Sequence, residues 1–203
     1  MNIVVLGGHG FVGTKLSERL ARDGHHVMPM SRRDGLDLTD FDVTRRRFLE
    51  LKPDVIYHCA AHVGSVHYVT SYAGAVTQDN VRMALNIYRA VQEVCPTVRI
   101  VNPLANCSYP GTADVYYESE WEKGEVHPSV YAYGNSKRMT YVLSWAYRQQ
   151  YGTKSVNFFV PNTFGPGDHT DPNKTHAING MILRMIKAQR AGDKEFEVWG
   201  TGN

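Results

Sequence analysis

Tyr133 and Lys137 are the residues whose types and spacing most directly indicate chemistry. They stand four residues apart in the stretch YGNSK, so they share one face if this stretch is helical. A lysine ammonium beside a phenol favours the phenolate, and we therefore expect the pKa of Tyr133 to be lowered toward the working range. Such a pair can protonate a carbonyl oxygen while a hydride reaches the carbonyl carbon. Because the spacing is common by chance, its meaning depends on the surrounding sequence.

A glycine-rich stretch near the start of the chain predicts a dinucleotide site. In GGHGFVG, Gly7, Gly10 and Gly13 follow a short β-branched run and open a helical pattern. Residues without Cβ allow a tight turn and close backbone approach, and the amides at a helix N-terminus bind a pyrophosphate. We expect this turn, which also includes Phe11 and Val12, to bind the cofactor.

The end of the second predicted strand indicates which dinucleotide is bound. An NAD enzyme usually has an acidic residue here to hold the ribose hydroxyls, whereas this chain has SRRD. Arg32 and Arg33 can pair with a 2′-phosphate in charge-assisted hydrogen bonds. The alternative is a solvated turn with two surface arginines. NADP(H) is therefore the expected cofactor, with NAD(H) as the alternative.

Strand and helix patterns alternate along the chain, which is typical of an α/β fold. The predicted strands are NIVVLG, HHVMPMS, DVIYHCAA, VRIVNPLA and SVNFFVP. The predicted helices are FVGTKLSERLARDG, FDVTRRRFLELK, VTQDNVRMALNIYRAVQEV, a helix over residues 131–150, and AINGMILRMIKAQRAG. Right-handed crossovers then give a doubly wound (Rossmann) parallel sheet, with ligands at the carboxyl ends of the strands.

Composition argues against several classes of protein. The 203 residues carry a formal net charge of +2 and 42% hydrophobic residues, without the basic excess of a nucleic-acid-binding protein. No apolar run reaches the roughly 18 residues that a membrane span needs. The three cysteines form no CxxC pair, so we expect neither disulfides nor a metal site. These cysteines, together with the lack of a signal-peptide pattern in MNIVVLGG, favour the cytoplasm.

Taken together, these motifs resemble those of the extended short-chain dehydrogenase/reductases that act on nucleotide sugars, within the NAD-dependent epimerase/dehydratase family. The resemblance extends from Gly7 to Gly202 and includes DLTD, AAHVG, DNVRMALNIY, NCSYP, YAYGNSK, VPNTFGPGD and VWGTG. Within that family the chain is most similar to members that act on a GDP-linked 4-keto-6-deoxy sugar. The resemblance implies epimerisation at C3 and C5 and NADPH-dependent reduction at C4.

The resemblance also implies which residues contact the cofactor. Asp37 and Leu38 would contact the adenine, and Lys137 would hold the nicotinamide ribose in addition to assisting the tyrosine. The remaining residues that would line the cofactor are Ala60, Ala61, His62, Pro161, Asn162 and Thr163.

Cys107 and His176 fall on the family's acid–base pair for epimerisation. The C3 and C5 hydrogens of a 4-keto sugar are acidified by the carbonyl, and a thiolate and an imidazole suit proton exchange near neutral pH. Substrate binding is implied for Asn162, Arg184 and Trp199. Two alternatives stay open. One is an enzyme that only reduces or only epimerises another nucleotide 4-keto sugar, such as a heptose, and the other is a catalytically silent dinucleotide-binding protein.

Ala105 is the main departure from the family pattern. A serine or threonine usually stands four residues before the tyrosine of the Tyr-Pro pair, here Tyr109, and donates a hydrogen bond to the C4 oxygen. Loss of one such donor typically slows a reaction by roughly 10²- to 10³-fold. Asn106 is a nearby amide donor and a candidate substrate-binding residue. Replacement by Asn106 or water, substitution to trap a ligand, and a degenerate reductase all remain open explanations.

The division of the chain is expected near residue 170. Residues 1–169 would form the NADP(H)-binding domain with the Tyr–Lys pair, and residues 170–203 would begin a smaller substrate domain that is incomplete here. Relatives commonly form homodimers through the helix that carries this pair and the helix before the fourth strand. The stretch MTYVLSWAYRQQY is apolar enough for that role or for burial within its own subunit. The expected partners are a nucleotide sugar and a second copy of the chain, with no nucleic acid or membrane.

Overall fold

The computed structural model describes residues 1–171 and 174–198. The strands in these ranges are β1 (Asn2–Leu6), β2 (His26–Met30), β3 (Val55–His58), β4 (Arg99–Ala105) and β5 (Lys154–Val160). The helices are α1 (Phe11–Arg22), α2 (Phe41–Leu51), α3 (Val66–Ser71), α4 (Ala73–Val94), α5 (Tyr131–Tyr151) and α6 (Ala177–Ala191). Short 3₁₀ turns cover Arg32–Asp34, Asn106–Ser108, Glu118–Glu120 and Pro128–Val130.

The strands form one parallel sheet with the order β2-β1-β3-β4-β5. The strand order reverses between β1 and β3, because β2 lies on one side of β1 whereas β3, β4 and β5 follow on the other. In a doubly wound sheet, this switch point is where ligands bind, at the carboxyl ends of the strands. The α/β fold predicted from the alternation is thus confirmed, and it brings the turns after β1, β2, β3 and β4 to one edge.

Helices cover both faces of the sheet around β1 and β3 and bury the apolar side chains there. On one face, Phe48 of α2 and Ile87 of α4 pack with Ile56 of β3 in the larger core cluster. On the other face, Leu20 of α1 packs with Val5 of β1 in a smaller cluster. The two clusters explain why β1 and β3 have almost continuous apolar sequences, since a strand buried on both faces has no polar side.

Two features differ from the predicted elements. β3 ends at His58, before the end of the predicted strand DVIYHCAA. The chain then leaves the sheet, and Asn80 of α4 fixes the segment that follows by accepting from the His62 N–H at 3.0 Å and donating to the His62 carbonyl at 2.8 Å. α3, which the sequence pattern does not predict, begins where the Ser65 hydroxyl accepts a hydrogen bond from the Tyr68 N–H.

The described residues show neither a membrane helix nor a metal cluster. Within residues 1–171 and 174–198, no helix is long and apolar enough to cross a bilayer. In the same ranges, no group of histidine, cysteine and carboxylate side chains is placed to hold a metal ion. The predicted division near residue 170 falls between β5 and α6, and it stays a prediction.

Candidate active site

Helix α5 carries the predicted Tyr–Lys pair at the carboxyl edge of the sheet. It begins at Tyr131, directly after the Pro128–Val130 turn, so the i, i+4 spacing places Tyr133 and Lys137 on one face as predicted. Lys137 is 6% exposed, and its Nζ lies 5.6 Å from the centroid of the Tyr133 ring. Tyr133 and Lys137 therefore lie in a site from which most water is excluded.

The pKa of Tyr133 shifts in the direction opposite to the one expected from the sequence. Burial raises the pKa of Tyr133, and an ionised Cys107 would raise it further. Burial also lowers the pKa of Lys137. The expected lowering of the Tyr133 pKa is thus wrong in this structure, because burial removes the water that would stabilise the phenolate. Tyr133 is a protonated phenol, which is the form that donates a proton.

Cys107 lies in the Asn106–Ser108 turn after β4, and α5 packs directly on this turn. A Cβ at Gly134 would stand 2.5 Å from the Cys107 carbonyl oxygen, so any side chain at position 134 would displace the turn. The Ser108 hydroxyl closes the turn by donating to the Ala105 carbonyl at 2.6 Å. The glycine therefore allows the cysteine to approach the Tyr–Lys pair.

The resting form of Cys107 is a thiol rather than the thiolate that the sequence suggested. Burial raises its pKa to about 11, although the Lys137 ammonium and a backbone hydrogen bond oppose this shift. The neighbouring Cys59 shows the same balance, with burial raising its pKa to about 11 and Lys137 opposing. Cys59 and Cys107 therefore both lie near Lys137 as neutral thiols.

Arg138 fixes the long connection between β4 and α5. Its Nε donates to the Ser108 carbonyl at 2.7 Å, its Nη1 to the Gly124 carbonyl at 2.7 Å and its Nη2 to the Trp121 carbonyl at 2.8 Å. A single guanidinium thus fastens both the cysteine turn and the following loop to α5. The sequence pattern assigned no role to this residue, because its three acceptors are backbone groups that no side-chain motif reveals.

His176 is the residue directly before α6. It is half-buried, and its Nδ1 is buried without a hydrogen-bond partner among the described residues. No hydrogen bond joins it to Cys107 within residues 1–171 and 174–198. The predicted acid–base pair therefore stays a prediction.

The other predicted residues after β5 are also spread out. Pro161, Asn162 and Thr163 are exposed and directly follow the carboxyl end of β5. Arg184 is half-buried on α6. Trp199 lies outside the described residues, so its predicted substrate contact has no structural account.

The glycine turn after β1 has the geometry that a dinucleotide site requires. Gly7 has a φ of 73°, and a Cβ there would lie 2.8 Å from the Ala60 backbone. A Cβ at Gly13 would lie 2.8 Å from the Cα of Gly8. α1 follows Gly10 without a side-chain cap, so the first amides of the helix suit an anionic group. These features fit a bound pyrophosphate.

The turn after β2 carries both predicted arginines together with an acidic residue. Arg32 pairs with Asp37 at 3.4 Å, whereas Arg33 is exposed and makes no ion pair with the described residues. Asp34 directly follows Arg33 and pairs with His9 of the glycine turn at 2.9 Å. Sequence reasoning missed this pair because its members lie far apart in the chain. The exposed arginine fits a 2′-phosphate.

Asp37 and Leu38, predicted to contact an adenine, differ in exposure. Asp37 accepts from the Thr39 N–H and hydroxyl at 2.9 and 2.7 Å. Burial alone would raise the pKa of Asp37, but these bonds and Arg32 hold it below its usual range. The Leu38 side chain is buried in the core, and its carbonyl accepts from Asn86 at 2.9 Å. An adenine contact by Leu38 would therefore use its backbone.

His62 is held from three sides at the end of the segment that follows β3. Its Nδ1 lies 2.8 Å from an Asp79 carboxylate oxygen, and its Nε2 lies 2.9 Å from the Tyr68 hydroxyl. Asn80 fixes its backbone, as described above. Asp79 and Asn80 belong to the stretch DNVRMALNIY, which the resemblance includes without assigning them a role. This segment is thereby positioned beside the glycine turn.

The model of one family, the NAD dependent epimerase/dehydratase family, matches residues 3–203. The chain belongs to this family. It is 30% identical to a probable GDP-L-fucose synthase of Drosophila melanogaster, over 98% of this chain and 65% of the relative. It is 29% identical to a GDP-L-fucose synthase of Dictyostelium discoideum, over 98% of this chain and 63% of the relative.

A solved relative of this epimerase/dehydratase chain confirms the fold. The structure of a GDP-L-fucose synthetase from Naegleria fowleri bound to NADP superposes with a TM-score of 0.85 at 26% identity, covering 98% of this chain and 66% of the relative. The chain thus spans just under two thirds of the length of the relatives that it matches.

The raised pKa of Cys107 predicts how the thiol reacts. Its alkylation by iodoacetamide should be slow near neutral pH and rise about tenfold per pH unit, because the reactive thiolate is scarce below its pKa. Lys137→Met should slow the reaction further, since the ammonium favours the thiolate. Timed alkylation with peptide mass spectrometry separates Cys107 from Cys59 and Cys95. A rate near neutral pH that does not change with pH would show that the thiolate is the resting form.

Proposed function

We propose that this protein is an NADPH-dependent enzyme that epimerises and reduces a GDP-linked 4-keto-6-deoxy sugar. The observation that carries the proposal is the convergence of Tyr133, Lys137 and Cys107 at the carboxyl edge of the sheet, on which the glycine turn also lies. The relatives named GDP-L-fucose synthase support the substrate class, and the NADP in the Naegleria structure supports the cofactor.

In the reduction, Tyr133 donates its proton to the C4 oxygen of the sugar. NADPH, when bound, supplies the hydride. The raised pKa of Tyr133 couples its proton transfer to the negative charge that grows on the C4 oxygen. Lys137 on the same helix face stabilises the phenolate that remains, and its burial strengthens this interaction.

In the epimerisation, one group removes a proton from C3 or C5 and another returns a proton on the opposite face. Cys107 is a thiol at rest and therefore serves as the proton donor, while His176 is the candidate base. The enolate oxygen forms at C4, where the Tyr133 phenol stabilises it by a hydrogen bond. The same phenol thus serves both half-reactions.

Tyr133→Phe and Cys107→Ser separate the two half-reactions. With a GDP-4-keto-6-deoxy sugar in deuterated water, Tyr133→Phe should oxidise NADPH at least about 10²-fold more slowly. It should still incorporate deuterium at C3 or C5, at a reduced rate, because the enolate loses one hydrogen-bond donor but keeps Cys107 and His176 for proton exchange. Cys107→Ser should lose deuterium incorporation by a similar factor while NADPH affinity stays unchanged. Absorbance follows NADPH, and mass spectrometry of the sugar follows deuterium in the same sample.

Tyr131→Phe is the matched control for these variants. Tyr131 lies on the same helix as Tyr133 but is exposed, so its change should alter neither readout. Undiminished reduction in Tyr133→Phe would refute the proposed mechanism. The proposed function itself fails if the wild-type protein turns over no GDP- or dTDP-linked 4-keto sugar, heptoses included.

Asn106 is the residue best placed to replace the hydroxyl that Ala105 lacks. Ser108 does not serve, because its hydroxyl donates to the Ala105 carbonyl at 2.6 Å. Asn106 is half-buried in the same turn, and its side chain makes no hydrogen bond with the described residues. We propose that its amide donates to the C4 oxygen.

Asn106→Ala should therefore lower kcat for the reduction by roughly 10²-fold with little change in KM, because the bond strengthens as charge gathers on the oxygen. Ala105→Ser should change kcat little if the amide already fills the role. Steady-state kinetics with the 4-keto sugar measure both variants. A large gain in Ala105→Ser, with no loss in Asn106→Ala, would show instead that the donor is missing.

We further propose that α5 and α4 form the contact between two copies of the chain. Met139, Val142 and Trp145 recur along one side of α5 and are exposed, and Leu85 on α4 is exposed as well. An apolar stripe with a large aromatic residue on an otherwise polar surface is typical of an interface.

Trp145→Glu should convert the dimer into a monomer, because the new carboxylate would be buried in the interface without a partner. Light scattering after size-exclusion chromatography measures the mass. Leu49→Glu is the control, since Leu49 is an exposed apolar residue on α2 and its change should leave the dimer intact. A monomeric wild-type protein would refute this interface.

A further inference from the structure

Asp34 is a carboxylate placed where an NAD-binding site needs one. It lies in the turn after β2, about 20 residues beyond Gly13, the separation at which dinucleotide-binding folds place the acid that accepts the ribose hydroxyls. In this chain both of its oxygens already have partners. One carboxylate oxygen of Asp34 accepts from the Ser31 N–H at 2.8 Å and from the Ser31 hydroxyl at 3.0 Å.

His9 completes the set of groups around this carboxylate. Its Nε2 lies 2.9 Å from one carboxylate oxygen of Asp34 and 3.2 Å from the other. The backbone supports this contact, because the Gly7 and Gly8 amides donate to the Met30 carbonyl at 2.8 and 3.1 Å. The glycine turn and the turn after β2 are thus joined by backbone and side chain at the predicted ribose position.

The charge on Asp34 determines whether this turn favours a 2′-hydroxyl or a 2′-phosphate. Burial alone would raise the pKa of Asp34, but the Ser31 hydrogen bonds and His9 hold it below its usual range, so the carboxylate is ionised near neutral pH. The other charges in this turn belong to Arg32, Arg33 and Asp37. A free carboxylate here would repel a 2′-phosphate and accept from a 2′-hydroxyl, which would favour NADH.

We propose that His9 sets the preference for NADPH over NADH by holding Asp34 in this pair. The imidazole contacts both carboxylate oxygens, so a ribose hydroxyl has to displace it to reach an acceptor, and a 2′-phosphate is kept from direct contact with the carboxylate. His9 is therefore a positioning residue that determines specificity through Asp34. The inference rests on the proposed use of NADPH, and it adds a residue to the pair of arginines expected at this site.

Calorimetric Kd values for NADPH and NADH test the inference in His9→Ala, Asp34→Asn and the double variant. His9→Ala should weaken NADPH binding by about fivefold, the upper range for an exposed side-chain pair, while NADH binding stays equal or tightens. In a protein that already carries Asp34→Asn, His9→Ala should leave the ratio of the two Kd values nearly constant, because the carboxylate that His9 covers is gone. This dependence on Asp34 is a result that a purely structural role would not produce.

His26→Ala is the control, because His26 is an exposed histidine at the amino end of β2, opposite the site. Equal weakening of both cofactors by His9→Ala would overturn the inference, since it would show a structural role. An equal loss of NADPH affinity in both backgrounds would overturn it as well, since His9 would then contact the phosphate directly. If the wild-type protein binds neither dinucleotide, the proposed function fails together with the inference.

Discussion

The burial of Lys137 is the constraint on which the rest of the site depends. Removal from water lowers the pKa of this lysine. Burial and the charge of Lys137 lower the pKa of His58 to about 3, so this histidine stays neutral next to it. Cys59 and Cys107 stay neutral because burial raises the pKa of each to about 11. A positive charge among neutral groups in a dry site exerts a strong field, and the proposed proton transfers use that field.

A layer of buried polar side chains fixes the position of α5 along the sheet, and with it the position of Tyr133 and Lys137. The amide of Asn102 on β4 donates to the Tyr88 hydroxyl of α4 at 2.8 Å and to Asn157 of β5 at 2.9 Å. Asn157 in turn donates to the Ser144 hydroxyl of α5 at 2.9 Å. Because buried polar groups are costly without partners, a one-residue slip of α5 or β5 would leave several of them unsatisfied. The layer therefore couples the register of the sheet to the position of the Tyr–Lys pair.

The features that the sequence predicted correctly rest on local periodicity and chain geometry. Alternating strand and helix patterns predicted all five strands of the described sheet, because a parallel sheet buried on both faces needs apolar strands joined by amphipathic helices. The spacing of Tyr133 and Lys137 predicted a shared helix face, since it follows from the helical repeat alone. Gly7 and Gly13 predicted the close turn, because the requirement for a missing Cβ is a property of the backbone.

Other features were decided by the tertiary structure, since they depend on burial or on contacts between distant parts of the chain. Burial reversed the expected shift of the Tyr133 pKa, and no local pattern states how much water the surrounding elements exclude. Asn80 fixes the segment after β3 by hydrogen bonds to the backbone of His62, 18 positions away. The pairing of His9 with Asp34 spans 25 positions and arises because β1 and β2 are neighbours in the sheet. The sequence by itself determined which chemical groups the chain carries and how each element is built, whereas the packing of those elements decided their protonation and their partners.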